Sequence, residues 1–477
     1  MAKGFPLTSM AALAAAALAL AVPAIWNGFP LLYWDSADYI AMPVTGVVPM
    51  FRAGSYALIT SVGLVFDTLW GVIAVQALLL AYLVHESVSA FVPRRRTLVF
   101  LALMLLAVLL TGLPWYASQL MADAFAGPLV LGLAALAFAP FAGWGPVRRA
   151  VLILALGVAA AVHSTHVALG LGLLLVFWGL LAASRLRRLA WLRVRPAGPT
   201  AVVAAAMVLA VGVNWAITGR AFMAQPIGIL TFARMVQDGS AKRYLDEVCP
   251  TRPDLRMCAI RDRLPATANL FLWMPGPFYE IGGWSPATEA EAERIVADSL
   301  RRDPLVHLAN LARLTWQQFW MIRSGEGLIN LDTIHPGDSA ERNPFMPRVI
   351  GATYPEDLPA YRQCRQRAAI ELGPLNRIQV PLAFAGIAAV AGLTVLGFRR
   401  RDRLTAGVGL TVLLALVGNA FICGALSNPA DRYQGRIAWI ALAALALFAA
   451  CRLVAAERGP EGPHPAGDAA APPVTRP

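Results

Sequence analysis

Long apolar runs alternate with short polar loops along most of this chain. The runs lie at about 8–28, 57–90, 97–113, 124–142, 149–163, 167–184, 199–217, 378–397, 404–424 and 435–455. A helix needs roughly 20 apolar residues to cross the hydrocarbon core of a bilayer, and most of the runs approach that length. The pattern predicts an all-α polytopic membrane protein with about ten transmembrane helices.

Residues 218–376 interrupt this pattern, because charges of both signs, prolines and aromatics mix there without a long apolar run. We expect an α-rich periplasmic domain inserted between spans seven and eight. The remaining divisions are a transmembrane core at 1–217, spans eight to ten at 377–455, and a cytoplasmic tail at 456–477. That tail is rich in Pro, Gly and Ala, which predicts disorder. The first run could be a cleaved signal peptide, but it leads directly into an aromatic loop, which favours a retained span.

Composition agrees with a membrane protein. Of the 477 residues, 58% are hydrophobic and 14% are charged, against about 25% charged in soluble domains. The mean hydropathy is +0.60. The net charge of +12 comes from arginines clustered between apolar runs, at 94–96, 148–149, 185–195 and 399–403. Such clusters favour the cytoplasmic side, so we expect a multi-pass protein of the bacterial inner (plasma) membrane with both termini in the cytoplasm. No nucleic-acid motif accompanies them, and we predict no nucleic-acid partner.

This orientation brings most other polar residues to the opposite membrane face. Those singled out as candidates are Asp35, Asp38, Arg52, Asp123, His163, His166, Arg432, Tyr433 and Arg436. The chain has no Walker loop, GxSxG elbow or HExxH helix, so soluble-type hydrolase and ATPase activities lack support. A carboxylate at this face could act as a general base, and an arginine could pair with a phosphate. Together they fit glycosyl transfer from a lipid carrier.

Four short stretches resemble the GT-C class of membrane glycosyltransferases, which use polyprenyl-phosphate-linked sugars. Trp34-Asp35-Ser36-Ala37-Asp38-Tyr39 forms an acidic loop after the first span, and Gln76 lies in the second span. Met121-Ala122-Asp123 opens the fourth span. Asp431-Arg432-Tyr433-Gln434-Gly435-Arg436 precedes the last span. The resemblance covers spans one to seven and the last loop, and it does not cover residues 218–376.

The resemblance implies a role for each of these groups. Asp35 or Asp38 would be the catalytic base, with Asp38 favoured; the class often has Asp-Glu or Gly-Asp here, so the choice stays open. Asp123 would hold the acceptor or a metal, and Arg432 and Arg436 would contact the donor phosphate. The implied partners are a polyprenyl-phosphate-linked sugar and membrane lipids. Metal dependence varies in the class; carboxylates at Asp35, Asp38 and Asp123 would suit Mg²⁺ or Mn²⁺.

Plainer interpretations remain for the same residues. Ser36 or Asp38 could cap a helix that starts near Ile40, and Asp123 could cap the fourth span. His163 and His166 could be turn residues, while Arg432 and Arg436 could reach lipid headgroups. The chain could instead be a transporter or flippase of a lipid-linked or anionic solute, or a non-catalytic membrane partner. A carrier is expected to hold polar groups near the midplane of repeated halves, and the sequence has no such repeat.

Within 218–376, Ser285-Pro286 and Asp303-Pro304 have the pattern of helix starts. After the second, Leu305, Leu308, Ala312, Trp316 and Phe319 share one helical face. This helix could lie on the membrane surface or pack on its own domain.

Two cysteines of the same region are close in sequence. Cys249 and Cys258 are the local candidates for a disulfide, which a periplasmic compartment would permit, although sequence alone does not fix the pairing.

Overall fold

The computed structural model describes residues 7–50, 52–185, 189–225, 227–332 and 345–456. Across these residues the chain is helical and contains no β-strand, which confirms the all-α prediction for them. An isolated bridge joins Leu31 to Gln119. The predicted disordered tail lies outside the described residues, apart from Ala456.

Ten α-helices precede the middle domain within the described residues. They are α1 Leu7–Asn27, α2 Ser36–Thr45, α3 Ala57–Phe66, α4 Leu69–Phe91, α5 Arg96–Leu110, α6 Leu113–Ala117, α7 Ala126–Phe138, α8 Pro146–Ala161, α9 Ser164–Ser184 and α10 Ala197–Thr218.

Twelve more α-helices follow in the described part of the chain. They are α11 Gly228–Asp238, α12 Ser240–Val248, α13 Ala268–Trp273, α14 Pro277–Glu280, α15 Pro286–Arg302, α16 Pro304–Trp320, α17 Phe345–Thr353, α18 Leu358–Gln363, α19 Gly373–Arg400, α20 Arg403–Ala420, α21 Asp431–Ala438 and α22 Ile440–Ala456.

Seven segments of the described chain are long and apolar enough to cross a membrane. They are Leu7–Asn27, Leu69–Phe91, Ser164–Ser184, Ala197–Thr218, Gly373–Arg400, Arg403–Ala425 and Asp431–Val454. These segments indicate a multi-pass membrane protein. The other three predicted spans correspond to α5, α7 and α8, which have 15, 13 and 16 residues. At 1.5 Å per residue they cover about 20–24 Å, less than the ~30 Å core, so the count of ten stays a prediction.

The apolar run at 57–90 is broken where the sequence predicted one continuous segment. Asp67 adopts a left-handed conformation with φ of 53°, which ends α3. Asp357, far along the chain, accepts hydrogen bonds from the Thr68 hydroxyl at 2.8 Å and the Leu69 amide at 2.7 Å. These bonds satisfy donors at the start of α4, and Thr68 itself caps the helix by accepting from the Trp70 amide at 3.3 Å. A local cap and a distant carboxylate together fix this boundary.

The middle domain divides into two parts that pack differently. Helices α11 to α15 enclose a core of their own, which includes Phe232, Phe271 and Phe278. A disulfide joins Cys249 to Cys258 at the edge of this core, with 5.6 Å between the Cα atoms. Met346 and Tyr361, near the end of the predicted domain, belong instead to the core formed by the membrane helices.

Both predicted helix starts in this region are confirmed. Ser285 caps α15 by accepting a hydrogen bond from the Thr288 amide at 3.3 Å. Helix α16 begins at Pro304, but the Asp303 side chain forms an ion pair with Arg243 rather than a cap.

Helix α20 separates two polar regions at its ends. At its start, Arg403 donates a hydrogen bond to the Arg193 carbonyl at 2.8 Å. Near its other end, Asn419 contacts Arg436 at 3.2 Å. Sixteen residues of helix correspond to about 24 Å. We call the first region the basic end; it comprises Arg148, Arg149, Arg193, Arg195 and Arg403.

Candidate functional site

Three stretches that are distant in sequence meet at Arg432. Its Nη2 atom lies 3.5 Å from Asp35 Oδ2, and its Nη1 atom lies 3.4 Å from Asp123 Oδ2. Asp35 follows the first span, and Asp123 lies in the 3₁₀ turn that precedes α7. Arg432 lies 397 and 309 residues away from them in the sequence. We call Asp35, Asp38, Arg52, Asp123, Arg432 and Arg436 the carboxylate–arginine cluster.

Arg52 bridges the two acids of the first loop. Its Nη2 atom donates to Asp35 Oδ1 at 2.6 Å, and its Nε atom donates to Asp38 Oδ2 at 2.9 Å. The acids share a face because α2 begins at Ser36, which separates them by about one helical turn. A helix capped near Ile40 is therefore wrong, since α2 already contains Asp38 and directs it to Arg52.

Asp123 holds Arg436 in a fully buried ion pair. Asp123 is 1% exposed and Arg436 is 0% exposed. Arg436 Nη1 contacts Asp123 Oδ1, and its Nη2 atom donates to Thr165 Oγ1 at 3.0 Å and Asn419 Oδ1 at 3.2 Å. Because an unpaired buried charge is strongly unfavourable, these contacts fix the position of Arg436. Asp123 lies in a short 3₁₀ turn, Ala122–Phe125, where it serves the cluster rather than a cap.

Two aromatic rings also flank Arg432. Its guanidinium lies 4.2 Å from the Tyr33 ring centroid and 4.7 Å from that of Tyr433. Its backbone amide donates to Glu326 Oε2 at 2.9 Å, and the Tyr33 hydroxyl donates to Glu326 Oε1 at 3.4 Å. Burial raises the pKa of Tyr33, so its hydroxyl stays a donor. Gly327 has φ of 77°, and a Cβ there would overlap the Tyr33 ring, so only glycine fits.

Gln76, the second-span residue of the resemblance, fastens the loop that leads to Asp123. Its Nε2 atom donates to the carbonyls of Ala117 and Gln119, each at 2.8 Å. The Tyr56 hydroxyl donates to Gln76 Oε1 at 2.6 Å. The cluster thus rests on a buried, hydrogen-bonded support, as pre-organised sites require.

The two histidines lie beside the cluster. His163 Nδ1 accepts from the Thr165 amide at 3.2 Å, and Thr165 in turn contacts Arg436. His166 Nδ1 donates to the Ala159 carbonyl at 3.0 Å, and the two histidine rings are 5.2 Å apart. Among the described residues, no group of three or more His, Cys, Asp or Glu side chains is arranged to hold a metal ion. The predicted candidates Asp35, Asp38 and Asp123 all pair with arginines instead.

Asp38 is the most accessible acid of the cluster. Its side chain is 18% exposed, against 10% for Asp35 and 2% for Asp123. Burial raises the pKa of Asp38, although the neighbouring Arg52 guanidinium lowers it. A carboxylate with a raised pKa binds a proton more readily, which suits a general base.

Several residues at the cluster were not predicted from the sequence. Glu326 comes from the middle domain, and Asn419 and Cys423 come from the end of the α20 span; Cys423 Sγ lies 3.3 Å from Arg436 Nη2. Asn419 carried a usable signal, because an amide within an apolar run needs a polar partner. Glu326 carried a weaker one, since two glycines flank it.

The chain was compared with models of protein families, with curated proteins and with solved structures, and none of them matches.

Proposed function

We propose that this protein transfers a sugar from a polyprenyl-phosphate donor to a hydroxyl of a lipid, glycan or protein acceptor at the membrane face where the carboxylate–arginine cluster lies. The observation that supports this most is the meeting of Asp35 and Asp123 at Arg432. Arg52 ties Asp38 into the same group. The proposed base and the proposed phosphate-binding arginine thus belong to one connected group, as transfer between a hydroxyl and a phosphate ester needs.

Each residue has a distinct part in the proposed reaction. Asp38 removes the proton from the acceptor hydroxyl, whose oxygen forms a bond to the anomeric carbon of the sugar. The bond between that carbon and the phosphate oxygen breaks, and polyprenyl phosphate leaves with the electron pair. Arg432 stabilises the negative charge that develops on this leaving group. Asp35 and Arg52 keep the base in position.

Arg432 suits the donor phosphate better than the other two arginines. Its contacts with Asp35 and Asp123 are 3.5 and 3.4 Å long, beyond the 2.7–2.9 Å typical of strong charge-assisted bonds. Arg52 has short bonds to two acids, and Arg436 is enclosed by Asp123, Thr165 and Asn419. A phosphate can therefore replace weak contacts at Arg432, whereas it would have to break strong ones elsewhere.

We further propose that α5, α7 and α8 complete a ten-span arrangement in a bacterial inner membrane. The basic end and both termini then face the cytoplasm, and the cluster faces the periplasm. Green fluorescent protein fused after residue 477 should fluoresce, because it folds in the cytoplasm, and alkaline phosphatase at the same position should be inactive. The reverse result would overturn this orientation.

The direct test replaces the acids one at a time and together. Asp35→Asn, Asp38→Asn and the double variant would be assayed for sugar transfer from a polyprenyl-phosphate donor in detergent, with thermal unfolding as the folding control. We expect Asp38→Asn to abolish turnover while the unfolding temperature changes little. Full activity in both single variants and the double variant would remove the proposed base. Lipid scrambling without any transfer would favour a carrier.

A further inference from the structure

Helix α16 has its apolar side on the outside of the protein. Leu305, Leu308, Trp316 and Trp320 are 78%, 59%, 65% and 48% exposed. At 100° per residue these four positions fall on one side of the helix, and the small residues Ala309 and Ala312 lie between them. We call this surface the α16 stripe.

The opposite side of α16 packs on the protein through polar groups. His307 Nε2 lies 2.9 Å from Ser299 Oγ in α15. Gln318 donates from Nε2 to the Ala430 carbonyl at 2.8 Å and accepts at Oε1 from the Ala430 amide at 2.9 Å. Leu314 is also buried on this side. A helix in water turns its apolar side inward, so this reversed arrangement indicates that the outer surroundings are apolar.

Three candidate membrane spans lie against the buried side and the C-terminal end of α16. The Trp320 ring lies 4.9 Å from that of Phe384 in α19. A Cβ at Gly424, in the π-helical turn Phe421–Ala425 that ends the α20 span, would collide with Gln318. Ala430 immediately precedes the last span. The stripe is therefore continuous with the outer surfaces of spans, where Ile378 and Phe421 are also exposed.

Polar residues beside the stripe fit a bilayer interface. Arg313 is exposed next to the apolar side, where its guanidinium can reach a phosphate headgroup. Tryptophans are enriched at the boundary between headgroups and acyl chains, and the stripe ends in two of them. The arginine beside the stripe and the tryptophans at its end, at the level where the spans end, favour contact with lipid over contact with a partner protein.

We propose that α16 lies in the membrane leaflet nearest the carboxylate–arginine cluster, with its stripe against lipid acyl chains. The helix is then an interfacial element that connects the bilayer to the loop of Arg432, because Gln318 holds the residue two positions before that arginine. This proposal does not depend on the chemistry proposed for the cluster. The middle domain is anchored to the lipid along one side.

Photocrosslinking of the full chain in nanodiscs tests this proposal. Benzoylphenylalanine would replace Leu308 or Trp316 in protein reconstituted with phosphatidylcholine and phosphatidylglycerol. The same probe at Leu175, which is 74% exposed on the α9 span, is the positive control. Arg294, an exposed polar position on α15, is the negative control. Mass spectrometry then identifies the adducts.

We expect lipid adducts at 308 and 316 at a yield similar to that at 175, and at least tenfold above that at 294. Adducts between two copies of the chain would overturn the proposal, because a second copy would then cover the stripe. Lipid adducts at 175 with none at 308 or 316 would also overturn it. Two stripe positions are used because one variant could fail to fold. Monodisperse elution from a size-exclusion column would show that a variant is folded.

Discussion

The two ends of α20 hold arginines in opposite ways. At the cluster end, Arg436 is fully buried and contacts Asp123, Thr165 and Asn419. At the basic end, Arg403 donates to a backbone carbonyl, and Arg148 keeps 27% of its side chain exposed while pairing with Glu86. The residue type is the same, but the cluster end encloses Arg436 completely, whereas the basic end leaves Arg148 and Arg403 partly exposed.

The difference separates two uses of positive charge in a membrane protein. Arginines that reach water cost little and can set the orientation of the helices. Arginines enclosed with carboxylates are stable only as complete groups, and such pre-organised charge is what phosphate chemistry uses. The comparison predicts that equivalent substitutions have unequal effects at the two ends.

The largest expected effect is on the free energy of unfolding. Asp123→Ala leaves Arg436 buried without its carboxylate, so we expect a loss of about 3–5 kcal/mol. Glu86→Ala removes an equally buried carboxylate, but Arg148 can turn toward water, so the loss should be clearly smaller. Thermal unfolding of both variants in the same detergent measures this. Equal losses would remove the distinction between the two ends.

Activity should depend on which arginine is changed. Arg432→Lys keeps the charge but loses the planar geometry that binds phosphate and stacks on Tyr33, so we expect about 10²–10³-fold lower kcat/KM for sugar transfer. Arg403→Lys at the basic end should leave transfer unchanged. Comparable losses in both variants would indicate a general folding defect instead.

The pH profile should report on Asp38. Burial raises the pKa of this acid and Arg52 lowers it. Because a base must be deprotonated, transfer should fall as the pH drops through the raised pKa. Arg52→Gln removes the lowering influence, so the acid limb of the profile should move to higher pH.

The control for this profile lies at the other end of α20. Asp402 caps that helix through the Leu404 and Thr405 amides. Asp402→Asn can still cap, so its pH profile should match that of the unmodified protein. A limb that stays in place or moves to lower pH in Arg52→Gln would contradict the assignment of Asp38.

The smallest effect is expected from the helix that supports the Arg432 loop. Gln318→Ala removes two hydrogen bonds to Ala430, and a net loss of about 1 kcal/mol corresponds to roughly a fivefold change in an equilibrium constant. We expect a rise of that size in KM for the donor with little change in kcat. Gln317→Ala, at the exposed neighbouring position, should have no effect. A large fall in kcat would contradict a positioning role.

The sequence predicted the outline of the fold because apolar periodicity and arginine clusters are local signals. It also singled out the six members of the cluster, since charged residues at span ends are rare. It did not predict the break at Asp67, where Asp357 reinforces the local cap at Thr68, or the contributions of Glu326 and Asn419 to the cluster. The roles of Asp357, Glu326 and Asn419 depend on contacts between residues that are far apart in the chain, and the apolar pattern of the sequence does not report such contacts.

The reversed packing of α16 shows the same limit. The sequence predicted an apolar face for this helix, but it did not determine whether that face packs on the domain or lies on the membrane. The structure turns Leu314 inward and leaves Leu305, Leu308 and Trp316 outside. The ends of the neighbouring spans pack against one side of α16, and this contact determines which side of the helix faces the protein.

The central claim is that Arg432 of the carboxylate–arginine cluster, and not an arginine of the basic end, receives the donor phosphate. The most direct measurement is a cryo-electron microscopy map of the protein in nanodiscs with polyprenyl phosphate, the leaving product of the proposed reaction. We predict phosphate density within hydrogen-bond distance of the Arg432 guanidinium, with weakened contacts to Asp35 and Asp123. An ordered phosphate at Arg403 and Arg193, with Arg432 still held by both acids, would contradict the account.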